Sequence, residues 1–287
     1  MHFNKILIFG VGLIGASFAR GLKAAHAVDD IVGFGRTPKG LKVAYDLGII
    51  DEVGINPGAD VREADLILVA TPVGQMPEIF ERIAPYLGEH TIVTDAGSTK
   101  SDVIAAARAA LGDRIGQFVP GHPIAGAETS GAEASRADLY QGRKVVLTPL
   151  PENAPEAVDK VRSAWELCGA DVRVLDAETH DRIFAAVSHL PHLLAFALVD
   201  EFANRPNADQ LFHYAAAGFR DFTRIAGSHP EMWRDIALAN RTALLAELDR
   251  FNAALMHLRQ ALVNSDGDAL AAIFANARDK RQNWSHG

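Results

Sequence analysis

The chain has a single cysteine, Cys168, among 287 residues. That rules out an intramolecular disulfide and fits a reducing compartment. No basic block stands ready to neutralise phosphates, and the formal charge is −8, so no nucleic-acid partner is expected. Long apolar runs are scarce too. Residues 6–9 are apolar but pass straight into glycines, which reads as a strand rather than a leader peptide. No stretch is expected to approach the roughly 18 apolar residues of a membrane span. A cytoplasmic location without a membrane partner is the resulting expectation. An anionic ligand would need local positive contacts against this acidic background.

What is present is an ordinary globular composition, long enough for roughly two domains at about 150 residues each. The first half alternates short apolar runs with amphipathic segments, the pattern of a parallel sheet covered by helices. Strands are expected at 5–9, 31–34, 66–70, 91–94, 118–120 and 144–148, with a last one at 171–175 after a helix at 152–168. Beyond residue 177 β-branched runs disappear, and apolar residues recur at helical spacing over 180–204, 230–240 and 242–263. The expected fold is α/β: a doubly wound Rossmann-type parallel sheet over 1–176, then an all-helical domain over 177–287. The helical part carries many apolar positions for its length, which points to burial against a second copy, a homodimer. A self-contained bundle is the alternative.

Gly10-Val-Gly12-Leu13-Ile14-Gly15 follows the first apolar strand directly and opens a helix. In a dinucleotide-binding turn Gly10 permits the tight bend, Gly12 lets backbone approach the pyrophosphate, and Gly15 lets helix pack on strand. The helix start at Leu13 and Ile14 offers free N–H donors to the anion. Such a motif alone is weak; its place between strand and helix strengthens it. At the end of the second strand, where an NAD site usually carries an acid for the ribose 2′-OH, this chain has Gly35 and Arg36, followed by Thr37. A guanidinium can grip a 2′-phosphate that a carboxylate would repel, so NADP is favoured over NAD. A solvated Arg36 with bound NAD remains the alternative. Thr71, in the turn closing the 66–70 strand, is a candidate cofactor contact or a local structural residue.

Four further clusters place polar groups in apolar or glycine-rich company: Asp95-Ala-Gly-Ser98-Thr-Lys100, Gly121-His122-Pro-Ile-Ala-Gly126-Ala-Glu128, Ser188-His189-Leu-Pro191-His192, and Gly218-Phe-Arg220-Asp221-Phe-Thr-Arg224. With the glycine turn, and in this order, the chain resembles the prephenate/arogenate dehydrogenase family. The resemblance implies roles residue by residue. His122 matches the catalytic histidine bonded to the substrate's ring hydroxyl. Ser98 matches a serine orienting substrate and that histidine. His189 and His192 match substrate-side histidines, and Arg224 the arginine anchoring a substrate carboxylate. Glu128 and Asp221 match acids near the site entrance. The implied substrate is a small dianion.

The residue types suit that chemistry. A histidine titrates near working pH and serves as a general base, and an arginine stays charged and grips carboxylates in a plane. Each has a duller reading. His122 could be a turn histidine, and Ser98 could cap the helix near Ser101. Arg224 could pair with Asp221, and Lys100 could be solvated or lend positive potential. His189 and His192, three apart, share a helix face and could serve packing or a metal, though no metal-ligand array accompanies them. Pro191 should kink its helix. Another two-domain reductase, of the 3-hydroxyacid dehydrogenase or imine reductase type, or a non-catalytic nucleotide sensor would share the glycine turn but has no evident need for the later clusters.

Overall fold

The computed structural model describes residues 1–126, 129 and 131–284. Nine strands are described: β1 (Phe3–Phe9), β2 (Val28–Phe34), β3 (Glu52–Val53), β4 (Leu66–Val69), β5 (Ile92–Asp95), β6 (Phe118–Val119), β7 (Gly121–Pro123), β8 (Lys144–Leu147) and β9 (Asp171–Val174). The helices are α1 (Leu13–Ala24), α2 (Pro38–Asp46), α3 (Pro57–Glu63), α4 (Met76–Ile83), α5 (Ser101–Leu111), α6 (Pro155–Leu167), α7 (Ala177–Phe184), α8 (Leu190–Ala203), α9 (Ala208–His213), α10 (Ala217–Thr223), α11 (Pro230–Ala239), α12 (Arg241–Val263) and α13 (Gly267–Asn283).

The first six strands form one parallel sheet in the order β3-β2-β1-β4-β5-β6. The order in which the chain adds strands reverses between β1 and β4, where such sheets bind ligands beyond their carboxyl ends. β4 is apolar at every position and β1 over Ile6–Phe9, because both faces of the sheet are covered there. In β1, Ile6 and Ile8 join one core with Phe18, Leu22 and Trp165, while Leu7 and Phe9 join another with Phe80, Ile83 and Phe118. At about 25 cal/mol per Å² of buried apolar surface, these two layers are the main source of the sheet's stability.

Two of the expected strands lie outside that sheet. β8 and β9 pair with each other in parallel, and β8 pairs antiparallel with β7, which makes a separate three-stranded sheet. Strand β7 was not expected: it is three residues long and includes Gly121 and Pro123, poor strand formers. It carries His122.

Residues 177–203 form one helical run of 27 residues whose length and composition would suit a membrane span, against the expectation that none would. Ser188, His189, Pro191 and His192 interrupt its apolar residues, so no uninterrupted run is visible in the sequence. Phe184, Ala185, Leu190 and Ala195 of this run are buried, within a window of which 28% is buried. Between α7 and α8 the run widens to a π-turn, Ala185–His189, in which Leu190 N–H reaches back five residues to the Ala185 carbonyl. Pro191 falls directly after this π-turn, at the start of α8, where the widened turn accommodates a residue without an N–H.

Residues Met1–Arg241 group as one compact unit and Thr242–Gly287 as another. Within the first, α11 contributes Ile236 to the core that holds Leu7 and Phe9.

Candidate active site

At the carboxyl end of β1 the chain turns through Gly10, at φ +94°, a conformation that favours glycine. A Cβ there would lie 2.6 Å from the Ala70 carbonyl oxygen. Gly10 N–H donates to the Phe34 carbonyl at 2.8 Å, fastening the turn to the end of β2. At Gly15 a Cβ would collide with the Gly10 carbonyl oxygen. Gly12 is different: no described atom lies within 4 Å of a Cβ built there, and no side chain caps α1, which starts at Leu13. The turn is thus tight where it must bend and open over the helix N-terminus. Beside it stands Thr71, whose hydroxyl is buried without a hydrogen-bond partner among the described residues. An open cradle, free N–H groups and an orphaned hydroxyl together fit a dinucleotide. Arg36 is exposed just past β2, and Thr37 precedes α2 without using its hydroxyl as a cap.

The second part of the site begins at the end of β5. Asp95 Oδ2 accepts the N–H of Gly97 at 2.7 Å and an ion pair from Lys100 Nζ. Asp95 Oδ1 accepts Gly121 N–H at 3.0 Å, and Lys100 Nζ donates to the Gly121 carbonyl at 2.6 Å. Lys100 is completely buried, so it is not the solvated lysine that was one reading of the sequence. The N–H groups opening α5 at Lys100 and Ser101 donate to Asp181 Oδ1 and Oδ2, each at 2.9 Å. Asp181 therefore does the capping suggested for Ser98, which lies half-buried in the same turn.

His122 Nδ1 and His180 Nε2 are 2.8 Å apart, and His180 Nδ1 lies 2.9 Å from Asp181 Oδ1. The carboxylate decides the tautomers. It can only accept, so a neutral His180 places its proton on Nδ1 and accepts at Nε2. His122 then donates from Nδ1, and its Nε2 carries the lone pair. Among the described residues no hydrogen bond engages that Nε2. The Phe184 ring packs edge-on against His122 at 4.9 Å.

Burial drives the His122 pKa well below the ordinary imidazole value, helped by His180, Lys100 and His189. Burial also lowers His180, against the pull of Asp181. For Asp181 itself burial acts upward, but hydrogen bonds from His180, Ser101 and Lys100 outweigh it and hold the carboxyl below its usual value.

The third part comes from the π-turn and α8. Asn240 Nδ2 donates to the Asp181 carbonyl at 2.7 Å and to His189 Nδ1 at 3.1 Å. His189 must therefore be protonated at Nε2, and this donor is buried with no partner among the described residues. Burial lowers the His189 pKa to about 4. His192 Nδ1 donates to the Ser188 carbonyl at 2.9 Å, which leaves its Nε2 as an acceptor. Its ring stacks on Trp233 at 3.5 Å, and His189 meets the same indole edge-on at 6.1 Å. The indole N–H of Trp233 is another buried donor left without a described partner. Burial lowers His192 as well, with a smaller contribution from the nearby Arg224 charge. His122 thus feels His189, His189 feels His192, and His192 feels Arg224.

Arg224 opens the short turn after α10, and Asp221 lies exposed on α10 one turn earlier. Glu128 lies outside the described residues. The described residues include no cluster of three metal-ligating side chains. The sequence reading missed His180, Asp181, Trp233 and Asn240. His180-Asp181 stands just before the Ser-His-Leu-Pro-His cluster and offered a signal, an adjacent imidazole and carboxylate; Trp233 and Asn240 offered none.

Residues 18–174 match the family description "Prephenate dehydrogenase, nucleotide-binding domain", and residues 176–276 match "Prephenate dehydrogenase, dimerization domain". The cyclohexadienyl dehydrogenase of Zymomonas mobilis is 37% identical over 97% of this chain and 95% of its own. The prephenate dehydrogenase of Bacillus subtilis is 35% identical over 97% of this chain and 75% of its own. Among solved structures, the prephenate dehydrogenase of Aquifex aeolicus in complex with hydroxyphenyl propionate and NAD+ is 38% identical, with a TM-score of 0.91 over 98% of both chains. A Synechocystis arogenate dehydrogenase is 28% identical, with a TM-score of 0.82 over 98% of this chain and all of that one. This chain belongs to the prephenate dehydrogenase family.

Proposed function

We propose that the chain catalyses the oxidative decarboxylation of prephenate, arogenate or both, giving 4-hydroxyphenylpyruvate or tyrosine, with His122 as the base. The observation that carries this reading is the His122 imidazole, held neutral by burial, with Nδ1 committed to His180 and Nε2 left to receive a proton. A dinucleotide held by the turn at Gly10, Gly12, Leu13, Ile14 and Gly15, with Thr71 alongside, supplies the hydride acceptor.

His122 Nε2 takes the ring-hydroxyl proton as the carbinol hydrogen departs with its electron pair. The ring carboxylate then leaves as CO₂, and its bonding electrons complete the aromatic ring. His122 returns the proton to the phenolate oxygen. Asp181, through His180, stabilises the imidazolium while the proton is held. Ser98 orients substrate and base. His189 donates from Nε2 and His192 accepts at Nε2 on the substrate side, and Arg224 anchors a carboxylate, with Asp221 and Glu128 as acids at the entrance.

Two finer assignments accompany this one. Arg36, with Thr37, recognises a 2′-phosphate, so NADP is preferred to NAD; support comes from the missing acid after β2 and the exposed guanidinium. The part of the chain from residue 177 serves as a homodimerisation domain. Its matched family description supports this, as do exposed apolar side chains such as Leu238, Leu245, Met256, Leu262 and Phe274. A single buried thiol agrees with a cytoplasmic setting.

The test is a steady-state assay of prephenate and arogenate, each with NADP and NAD. Expected is reduced cofactor formed with CO₂ release on at least one substrate, faster with NADP. No turnover on either substrate would overturn the activity, and a preference for NAD would overturn the role of Arg36.

A further inference from the structure

We propose that Lys100 is a positioning residue for His122: with Asp95 it grips both peptide groups of Gly121 and closes a ring of hydrogen bonds around the imidazole. The proposal rests on the reading of His122 as the base. Lysines are rarely buried completely unless paired, and Lys100 is buried completely. Its pairing with Asp95 satisfies the two charges, and a pair serving only the core would need nothing more. Here the only further bond of the ammonium falls on Gly121, and the carboxylate, besides taking Gly97 N–H within its own turn, reaches Gly121 as well. The carboxylate takes its N–H at 3.0 Å and the ammonium gives to its carbonyl at 2.6 Å. The residue before the proton acceptor is thereby held at both ends.

The backbone of Lys100 completes the circuit. Its N–H donates to Asp181 Oδ1 at 2.9 Å, Asp181 accepts from His180 at 2.9 Å, and His180 accepts from His122 at 2.8 Å. His122 is bonded covalently to Gly121, where the circuit began. Main-chain placement and ring orientation of the base are thus fixed by one closed loop that draws on the turn after β5, on β7 and on α7. The titratable groups around His122 are Lys100 and Asp95 from that turn, His180 and Asp181 from α7, and His189 from the π-turn. Gly121 has little freedom to compensate, because a Cβ there would lie 3.0 Å from the Asp95 carbonyl oxygen.

The test compares wild type with Lys100→Met and with the double variant Asp95→Asn/Lys100→Met, which leaves no unpaired buried charge. Measured are kcat, KM for prephenate and the pH profile of kcat/KM, with a thermal melt to establish folding. Expected in every folded variant is a kcat lower by roughly 10- to 100-fold from a misplaced base, with KM little changed. The acidic limb should move to higher pH, since a cation that disfavours protonated His122 is gone. Lys100→Arg, which retains the charge, should leave that limb near its wild-type position. A folded double variant with wild-type kcat and an unmoved limb overturns the proposal. His122→Asn, assayed in parallel, separates the two failures. If it is inactive while the double variant is normal, only the clamp falls; if it keeps wild-type turnover, the base assignment falls and the clamp with it.

Discussion

The two sides of the site are built on opposite plans. On the side proposed for proton transfer every polar side-chain atom of Asp95, Lys100, His180 and Asp181 has a protein partner. On the side proposed to hold substrate, His189 Nε2 and Trp233 Nε1 are buried donors with none among the described residues. A saturated network fixes one geometry, whereas an unsatisfied one retains capacity for a ligand. The difference teaches where kcat and KM should be written. Changes on the saturated side should slow the chemistry, and changes on the open side should weaken binding.

The largest effect is expected at His122. His122→Asn should lower kcat by about 10²–10⁴-fold with little change in KM, measured by steady-state kinetics on prephenate. Near-normal turnover would break the comparison at its centre. Arg224→Gln sharpens the other side: loss of a charged hydrogen bond worth roughly 1.5–3 kcal/mol should raise KM about 10- to 100-fold with a smaller change in kcat. A fall in kcat with unaltered KM would move Arg224 to the chemical side. Outside both sides, Arg36→Ala should raise KM for NADP by about tenfold and leave NAD unaffected, as expected for loss of one charge-assisted contact.

The smallest effect is a pH dependence of stability. His122, His180 and His189 are lowered by burial, so the unfolded chain binds more protons than the folded one below the ordinary histidine value of about 6.5. Stability is therefore complete above that pH and is lost as pH falls toward the folded value, about 4 for His189. Melting temperatures scanned across that window should decline on acidification, and His189→Gln should make the decline shallower. An unchanged slope would mean that His189 is not held neutral by burial.

A contrast of burial runs along the chain as well. In the central sheet β4 and the last four residues of β1 are fully buried, while α9, α10 and α13 have no buried residue. The sheet's periodicities were legible because each strand's burial on both faces is written in its own residues. The glycine turn was legible too, since steric limits at Gly10 and Gly15 act over a few residues. The pairings among site residues were not. His122 meets His180 across 58 positions, Lys100 meets Asp181 across 81, and His189 meets Asn240 across 51. Nothing in a helical or strand period records such pairings.

Taken alone, the sequence determined the glycine turn, the change from sheet to helix and the chemical types available to the proposed site, because backbone sterics and hydrophobic period are short-range. Only the tertiary structure decided that Lys100 is sealed rather than solvated, which nitrogen of His122 is left to take a proton, and that one indole serves two histidines. Those outcomes depend on which distant polar groups share a dry interior, where each must find a partner or wait for a ligand.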